Sequence, residues 1–306
     1  MISIITPNYN CERWLDRCLQ SVADQTSSQD NIEMVMVDDG STDTSKEIIK
    51  GYRRKIHNLD IVWHEHTGKP SLLRNIALDR AQGDYVLFLD SDDFLGLDTI
   101  RRLSLFTQKR QSDVVAFQLQ GLNRNVPKSM LQKTCYDVDI VKSGIYKSLG
   151  IWKMCRRDFL DSHEIRFDDT LPSGDDIPFM AESLLRAKNV SILSGYPFYT
   201  VRGREDGSSL TQMEWSHRER IRVGKKLGEL ICTYAMDDDI RNHFLIRLFN
   251  TDALRIIESP STNQTLLKEL KNEYGKYWNS RVADLIYTDE ARDKLITFFG
   301  DGNING

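Results

Sequence analysis

The chain is short of everything that would staple a fold covalently or carry it through a membrane. Its cysteines number 5 and are scattered: Cys11, Cys18, Cys135, Cys155 and Cys232, with no CxxC pair among them. That excludes a disulfide framework and a cysteine zinc site. It suits a reducing compartment, with the thiols serving as small buried hydrophobes. No stretch approaches the ~18 consecutive apolar residues of a membrane span. The apolar start, Ile2 to Thr6, is far shorter than the apolar region of a signal peptide. The expectation is a soluble cytoplasmic protein with no transmembrane segment, compatible with peripheral association at the inner membrane face. His57, His64, His66, His163 and His243 show no metal-ligand spacing. No glycine-rich loop with a lysine follows the first strand, where a nucleotidyltransferase would need one. A net charge of −4 argues against a nucleic-acid binder.

What is present is ordinary globular composition, 40% hydrophobic and 28% charged, arranged as alternating strands and helices. Strands are expected at 2–6, 32–37, 59–63, 85–89 and 114–117. Helices fall between them at about 12–25, through Ile48 and Ile49, and over Leu72 to Leu78. Continuous apolar strands separated by helices predict an α/β fold, with a mostly parallel sheet covered on both faces. Residues 121–174 are loop-rich. A helix over 176–187 and short strands at 190–193 and 197–201 follow. Beyond Trp215 only helical periodicity remains, at roughly 215–235, 239–258, 262–275 and 278–299. A domain boundary is placed at 211/212. It separates an α/β domain (halves about 1–118 and 119–211) from a C-terminal helical region.

The most informative stretch is Tyr85-Val86-Leu87-Phe88-Leu89-Asp90-Ser91-Asp92-Asp93, a buried strand that ends in three carboxylates within four positions. Carboxylates crowded at a strand end repel one another and are costly to desolvate. A hard divalent cation, Mg²⁺ or Mn²⁺, resolves both costs with oxygen ligands, and strand termini in α/β sheets are where ligands bind. The alternative is an Asp-rich turn in which Asp93 or Asp98 caps the next helix.

Four motifs occur in order at strand ends: Ile4-Ile5-Thr6-Pro7-Asn8-Tyr9-Asn10, Val37-Asp38-Asp39-Gly40-Ser41-Thr42-Asp43, Arg74-Asn75-Ile76-Ala77 and Leu89-Asp90-Ser91-Asp92-Asp93. Over roughly residues 1–210 this set resembles the family 2 glycosyltransferases with the GT-A fold. Gly121 to Met130 and Ser173-Gly174-Asp175-Asp176 are similar, more narrowly, to the wall teichoic acid enzymes that attach N-acetylglucosamine to poly(ribitol phosphate). The resemblance implies an inverting, metal-dependent transfer from a UDP-sugar. Pro7 and Tyr9 would flank the base and Asp39, with Asp38 behind it, would accept the uracil N–H. Arg74 would neutralise diphosphate, Asp90 with Ser91 would hold the ribose, and Asp92 would ligate Mn²⁺ or Mg²⁺. The competing readings are a helix-capping turn for Asp39 and a helix-surface salt bridge for Arg74.

The acceptor hydroxyl needs a carboxylate base on the opposite face of the sugar, and Asp176, after the sharp turn Pro172-Ser173-Gly174, is the candidate. The family usually has Glu-Asp here, so the shorter Asp175 puts an acceptor role for that position in doubt. Many relatives carry a histidine after the strand at 199–201. This chain instead has Arg202 and Arg204, candidates for the diphosphate or an anionic acceptor. The basic run His217 to Lys226 offers a track for a polyol-phosphate polymer, or simply a solvated helix face. Apolar stripes on the C-terminal helices (Phe244, Leu245, Leu248, Phe249) suit packing or a homo-oligomer. Rival readings are a capsule or exopolysaccharide transferase using UDP-glucose, UDP-galactose or UDP-GalNAc, a nucleotidyltransferase, and an inactive carbohydrate-binding module.

Overall fold

The computed structural model describes residues 1–206 and 215–302. The boundary expected at 211/212 therefore falls outside the described residues, as do Ser208 and Ser209 of the arginine loop. Two compact units are present. The first comprises Met1–Asp139, Gly150–Asp169 and the described residues of Ala187–Met213; the second comprises Ile140–Leu149, Thr170–Arg186 and the described residues of Glu214–Gly306.

The first unit is built on β1 (Ile2–Asn8), α1 (Glu12–Ala23), β2 (Ile32–Asp38), α2 (Ser45–Gly51), β3 (Leu59–Trp63), α3 (Pro70–Arg80) and β4 (Tyr85–Phe88). It continues through β5 (Phe94–Leu95), α4 (Thr99–Lys109), β6 (Val114–Phe117), β7 (Leu119–Leu122), β8 (Lys153–Arg156), α5 (Arg157–Ser162), β9 (Val190–Leu193) and β10 (Tyr199–Arg202). A seven-stranded sheet runs β3-β2-β1-β4-β8-β6-β9, and a three-stranded sheet runs β5-β10-β7. Every residue of β2 is buried, as are all but Pro7 of β1, which is why these strands are mostly apolar, with Ser3, Thr6, Asn8, Glu33 and Asp38 the buried polar exceptions. α1 explains its own helical spacing: Trp14, Leu15, Cys18, Leu19 and Val22 form its buried face.

The large sheet is mostly parallel, as the alternation of strands and helices predicts. The exception is β8, antiparallel to both β4 and β6. It lies in the region expected to be loop, because its four residues Lys-Met-Cys-Arg carry no strand pattern. Lys153 is nonetheless 1% exposed, its Nζ donating to the Gly150 carbonyl at 3.0 Å. Three of the five cysteines (Cys11, Cys18, Cys155) are buried, but Cys232 is exposed and so is no core residue.

The second unit is helical: α6 (Asp176–Arg186), α7 (His217–Tyr234), α8 (Asp238–Arg247), a π-helical turn Leu248–Ala253, α9 (Leu254–Glu258), α10 (Gln264–Tyr274), α11 (Ser280–Asp284) and α12 (Asp289–Phe299). The single helix expected over 278–299 is two, since Thr288 starts a new one by accepting from the Ala291 N–H at 3.2 Å. An aromatic cluster holds this unit together. Phe249 meets Trp278 at 4.8 Å and Phe299 at 5.4 Å, both edge to face.

Candidate functional site

The parallel register sets the site. Asn8 pairs with Asp38 and Asp38 with Trp63, while Ile5 pairs with Phe88, so β1, β2, β3 and β4 all end at one edge. Between β1 and β4 the strand order reverses direction, the switch point at which α/β sheets bind ligands. Tyr9, Asp39, His66 and Asp90 all follow directly from these strand ends.

Asp38 is buried behind the edge and fixes the turn. Its Oδ2 accepts from Asn8 Nδ2 at 2.8 Å and Ser41 Oγ at 2.6 Å, and its Oδ1 from the Ser41 N–H at 2.9 Å. Gly40 has φ +72°, and a Cβ there would lie 2.8 Å from the His66 backbone N, so only glycine lets the 64–68 loop pass this close. Asp39, 2% exposed, grips that loop. Its Oδ1 accepts from Thr67 N–H and Oγ1, both at 2.9 Å, and its Oδ2 from Gly68 N–H at 2.8 Å; His66 Nδ1 hydrogen-bonds the Asp39 carbonyl oxygen at 3.1 Å and lies 3.0 Å from Oδ2. It caps no helix, since α2 starts from Thr44. Tyr9 is 41% exposed, and its ring stacks on His66 with centroids 4.0 Å apart and planes 18° from parallel. Pro7 sits in β1 opposite Val37.

At the end of β4 each carboxylate has a different partner. Arg74 is buried and donates from Nη2 to Asp90 Oδ1 at 2.8 Å, so it is not a helix-surface salt bridge. Ser91 is buried. Asp92 pairs with Arg204, Nε to Oδ2 at 2.6 Å, and the Arg204 guanidinium lies 4.6 Å from the Trp14 ring centroid. Asp93 is buried; Tyr199 OH donates to its Oδ2 at 2.8 Å and the Arg202 N–H to its Oδ1 at 2.7 Å. Tyr199 OH also accepts from the Asp90 N–H at 3.1 Å, so this phenol holds the acidic turn from below. Arg202 donates from Nε to the Asp92 carbonyl at 3.0 Å.

Burial pushes the Asp92 carboxyl above its ordinary range, opposed by the Arg204 guanidinium and reinforced by the Asp90 charge. Burial, with the charges of Asp92 and Asp90, pushes Asp93 well above that range too. Neither Asp93 nor Asp98 caps α4: no side chain accepts at its start, and Asp98 instead binds Arg101, Arg102 and Thr26. Asp92, its side chain 12% exposed and close to the Asp90 charge, offers carboxylate oxygens, which fits a hard divalent cation. Among the described residues no three carboxylate, histidine or cysteine side chains are grouped around one point. A cation here would rest on Asp92 and complete its shell from phosphate and water.

Asp175 and Asp176 belong to the second unit. Asp175 is buried and Asp176, the first residue of α6, half-buried. Gly174 (φ +67°) makes the turn before them, and a Cβ on it would lie 2.0 Å from the Trp215 ring, so no other residue fits. The basic run splits. Arg218 is exposed, 72% of its side chain in solvent, and Arg222 is exposed too. Arg220 instead turns inward, 3.9 Å from buried Asp252. A polymer track on this helix therefore excludes Arg220.

The sequence reading missed Tyr199 and His66. Tyr199 lies 106 residues from Asp93, and nothing local announces the contact. His66 has no metal-ligand spacing, and its contact with Tyr9 and Asp39 has no signature in the chain around it.

The family model described as "Glycosyl transferase family 2" matches residues 3–157. A poly(ribitol-phosphate) beta-glucosyltransferase of Bacillus spizizenii is 37% identical over 200 residues, covering 65% of this chain and 32% of that protein. The poly(ribitol-phosphate) beta-N-acetylglucosaminyltransferase TarS of Staphylococcus aureus is 32% identical over 297 residues, covering 96% of this chain and 51% of that protein. The crystal structure of S. aureus TarS 1–349 in complex with UDP-GlcNAc superposes with a TM-score of 0.87 at 28% identity, covering 98% of this chain and 89% of that one. The fold is GT-A with C-terminal helices. The chain spans about half the length, or less, of these two curated relatives.

Proposed function

This chain belongs to glycosyl transferase family 2, and from that premise we propose that it moves a sugar from a UDP-sugar to a hydroxyl of a polyol-phosphate polymer of the poly(ribitol phosphate) kind. N-acetylglucosamine is the first choice of sugar, with inversion at the anomeric carbon. The supporting observation is the strand-edge constellation of Tyr9, Asp39, Arg74, Asp90 and Asp92, in a fold shared at 28% identity with a protein solved with UDP-GlcNAc. Glucose is the second reading, favoured by the 37% identity with the beta-glucosyltransferase.

In this reading Pro7 and Tyr9 bound the base, and Asp39 orients the loop beside it. Asp90 and Ser91 hold the ribose. Arg74, Arg202 and Arg204 neutralise diphosphate charge, and Asp92 holds the divalent cation. A bound cation supplies Lewis-acid stabilisation of the charge that develops on the departing diphosphate. The Asp176 carboxylate takes the proton of the acceptor hydroxyl as that oxygen bonds to the anomeric carbon and the sugar–phosphate bond breaks.

The test incubates the protein and Mn²⁺ with UDP-GlcNAc, UDP-glucose, UDP-galactose or UDP-GalNAc, and with poly(ribitol phosphate) or a neutral oligosaccharide. Released UDP is measured. The expected maximum is UDP-GlcNAc with the polymer. A maximum with UDP-glucose moves the sugar to the second reading, and a preference for the neutral oligosaccharide overturns the acceptor class.

A further inference from the structure

We propose that His66 is an internal competitor for the nucleobase: its imidazole lies where the base binds, stacked on the Tyr9 ring and beside the Asp39 carboxylate. Donor binding then requires the base to displace it. This rests on the reading above, in which Tyr9 and Asp39 border a uracil site.

Three observations converge on it. The imidazole covers the face of Tyr9, with centroids 4.0 Å apart and planes at 18°. That is the contact a stacked base would make, and no third ring fits between rings already this close. The second observation is the hydrogen bond. His66 Nδ1 lies 3.0 Å from Asp39 Oδ2 and 3.1 Å from the Asp39 carbonyl oxygen. An ionised carboxylate and a carbonyl only accept, so Nδ1 carries the proton. The ring N–H hydrogen-bonds the Asp39 carbonyl oxygen and stands in ion-pair range of the carboxylate, the group to which uracil would present its imide N–H. The imidazole therefore occupies the π-face of the base site and sets its own N–H beside the carboxylate the base would use.

The third observation is that the ring can leave without dismantling the loop. Thr67 and Gly68 bind the same carboxylate through their backbone N–H groups at 2.9 and 2.8 Å, and Gly40 admits the His66 backbone. The main chain is anchored independently of the side chain. That side chain is 48% exposed and has solvent to rotate into. A histidine serving only as a strut would be expected to be enclosed.

Calorimetry on the whole chain provides the test. His66→Ala should bind UDP about 3- to 10-fold more tightly than wild type, with the affinity for inorganic pyrophosphate, which has no base, unchanged. Equal or weaker UDP binding overturns the proposal, because the imidazole would then support the base or be absent from its site. Tighter pyrophosphate binding overturns it as well, since the effect would not be local to the base. The His66 ring protons of the wild type give a second readout that needs no His66 variant. They should resonate upfield over the Tyr9 ring, lose that shift in Tyr9→Ala, and move downfield on saturation with UDP. Ring protons that keep their upfield shift at saturation overturn the proposal. Failure of the base site itself has a different signature, in which Asp39→Ala and Tyr9→Ala leave UDP affinity untouched.

Discussion

Arg204 and Asp92 form an ion pair of 2.6 Å against the face of Trp14, so the carboxylate proposed to hold a cation already has a positive partner. The two cations, guanidinium and metal, must share or exchange one carboxylate. Asp92→Asn should abolish divalent-dependent UDP binding, since a neutral amide does not hold the ion against water. Arg204→Ala should do the reverse for Mn²⁺ alone, raising its affinity several-fold while lowering that for UDP. Metal titrations followed by water-proton relaxation, with and without UDP, check both signs. Unchanged Mn²⁺ binding in Asp92→Asn would place the ion elsewhere.

The Asp39 carboxylate accepts three hydrogen bonds from Thr67 and Gly68, so its removal loosens their loop as well as the base site. Asp39→Ala should weaken UDP binding on the order of ten- to a hundredfold, the equivalent of a lost charged hydrogen bond of about 1.5–3 kcal/mol. Turnover at saturating donor should stay close to wild type. Calorimetry together with the split between KM and kcat tests this, and unaltered UDP affinity refutes it.

Asp176→Asn should keep UDP-sugar affinity within a few fold and lower transfer by about 10²–10⁴, the scale of general-base loss. Gly174 and Trp215 set the turn independently of the carboxylate, so the variant should fold. A variant that retains most of its transfer rate moves the base elsewhere, with Asp175 the first alternative. A loss of donor affinity as severe as in Asp92→Asn moves Asp176 to the metal.

The helix-borne arginines should separate into two classes. Reversing exposed Arg218 and Arg222 should raise the KM for a polyanionic acceptor without altering thermal stability, an effect that fades with added salt. Arg220→Glu should cost about 3–5 kcal/mol by leaving buried Asp252 facing another negative charge. Denaturant melts and acceptor kinetics at two ionic strengths distinguish the classes. Similar behaviour at all three positions contradicts the inward placement of Arg220.

Asp252 gives a pH signature. Burial raises its carboxyl to about 6, against the opposing charges of Arg247, Arg220 and Arg255. A raised carboxyl favours the fold while protonated. Its contribution is full below the ordinary carboxylate value near 4 and is lost as pH rises through about 6. Asp252→Asn should therefore gain on wild type between pH 4 and 7, by an amount on the order of a few kcal/mol. Parallel stability–pH curves would show that Asp252 does not titrate in this range.

Strands β1–β4, β6, β9 and β10, the mostly parallel sheet and the acidic strand end were legible in the amino-acid sequence; the short strands β5 and β7 were not. Each legible feature is written in contiguous residues whose period or clustering survives without tertiary contacts, as in Tyr85 to Asp93. The four strand-end motifs carry the family for the same reason. β8 was not legible, because Lys153–Arg156 acquires its strand character only by insertion between β4 and β6. The partners of the motif residues were hidden as well. Arg74 on Asp90, Arg204 on Asp92, Tyr199 on Asp93 and His66 on Asp39 are separated by 16 to 112 residues, and chain closure alone brings them together. So the sequence by itself determined which carboxylates stand at the sheet edge, since backbone hydrogen bonding and apolar burial place them there. Tertiary structure decided which cation, phenol or imidazole faces each one, because a charge is stabilised by its neighbours in space rather than in the chain.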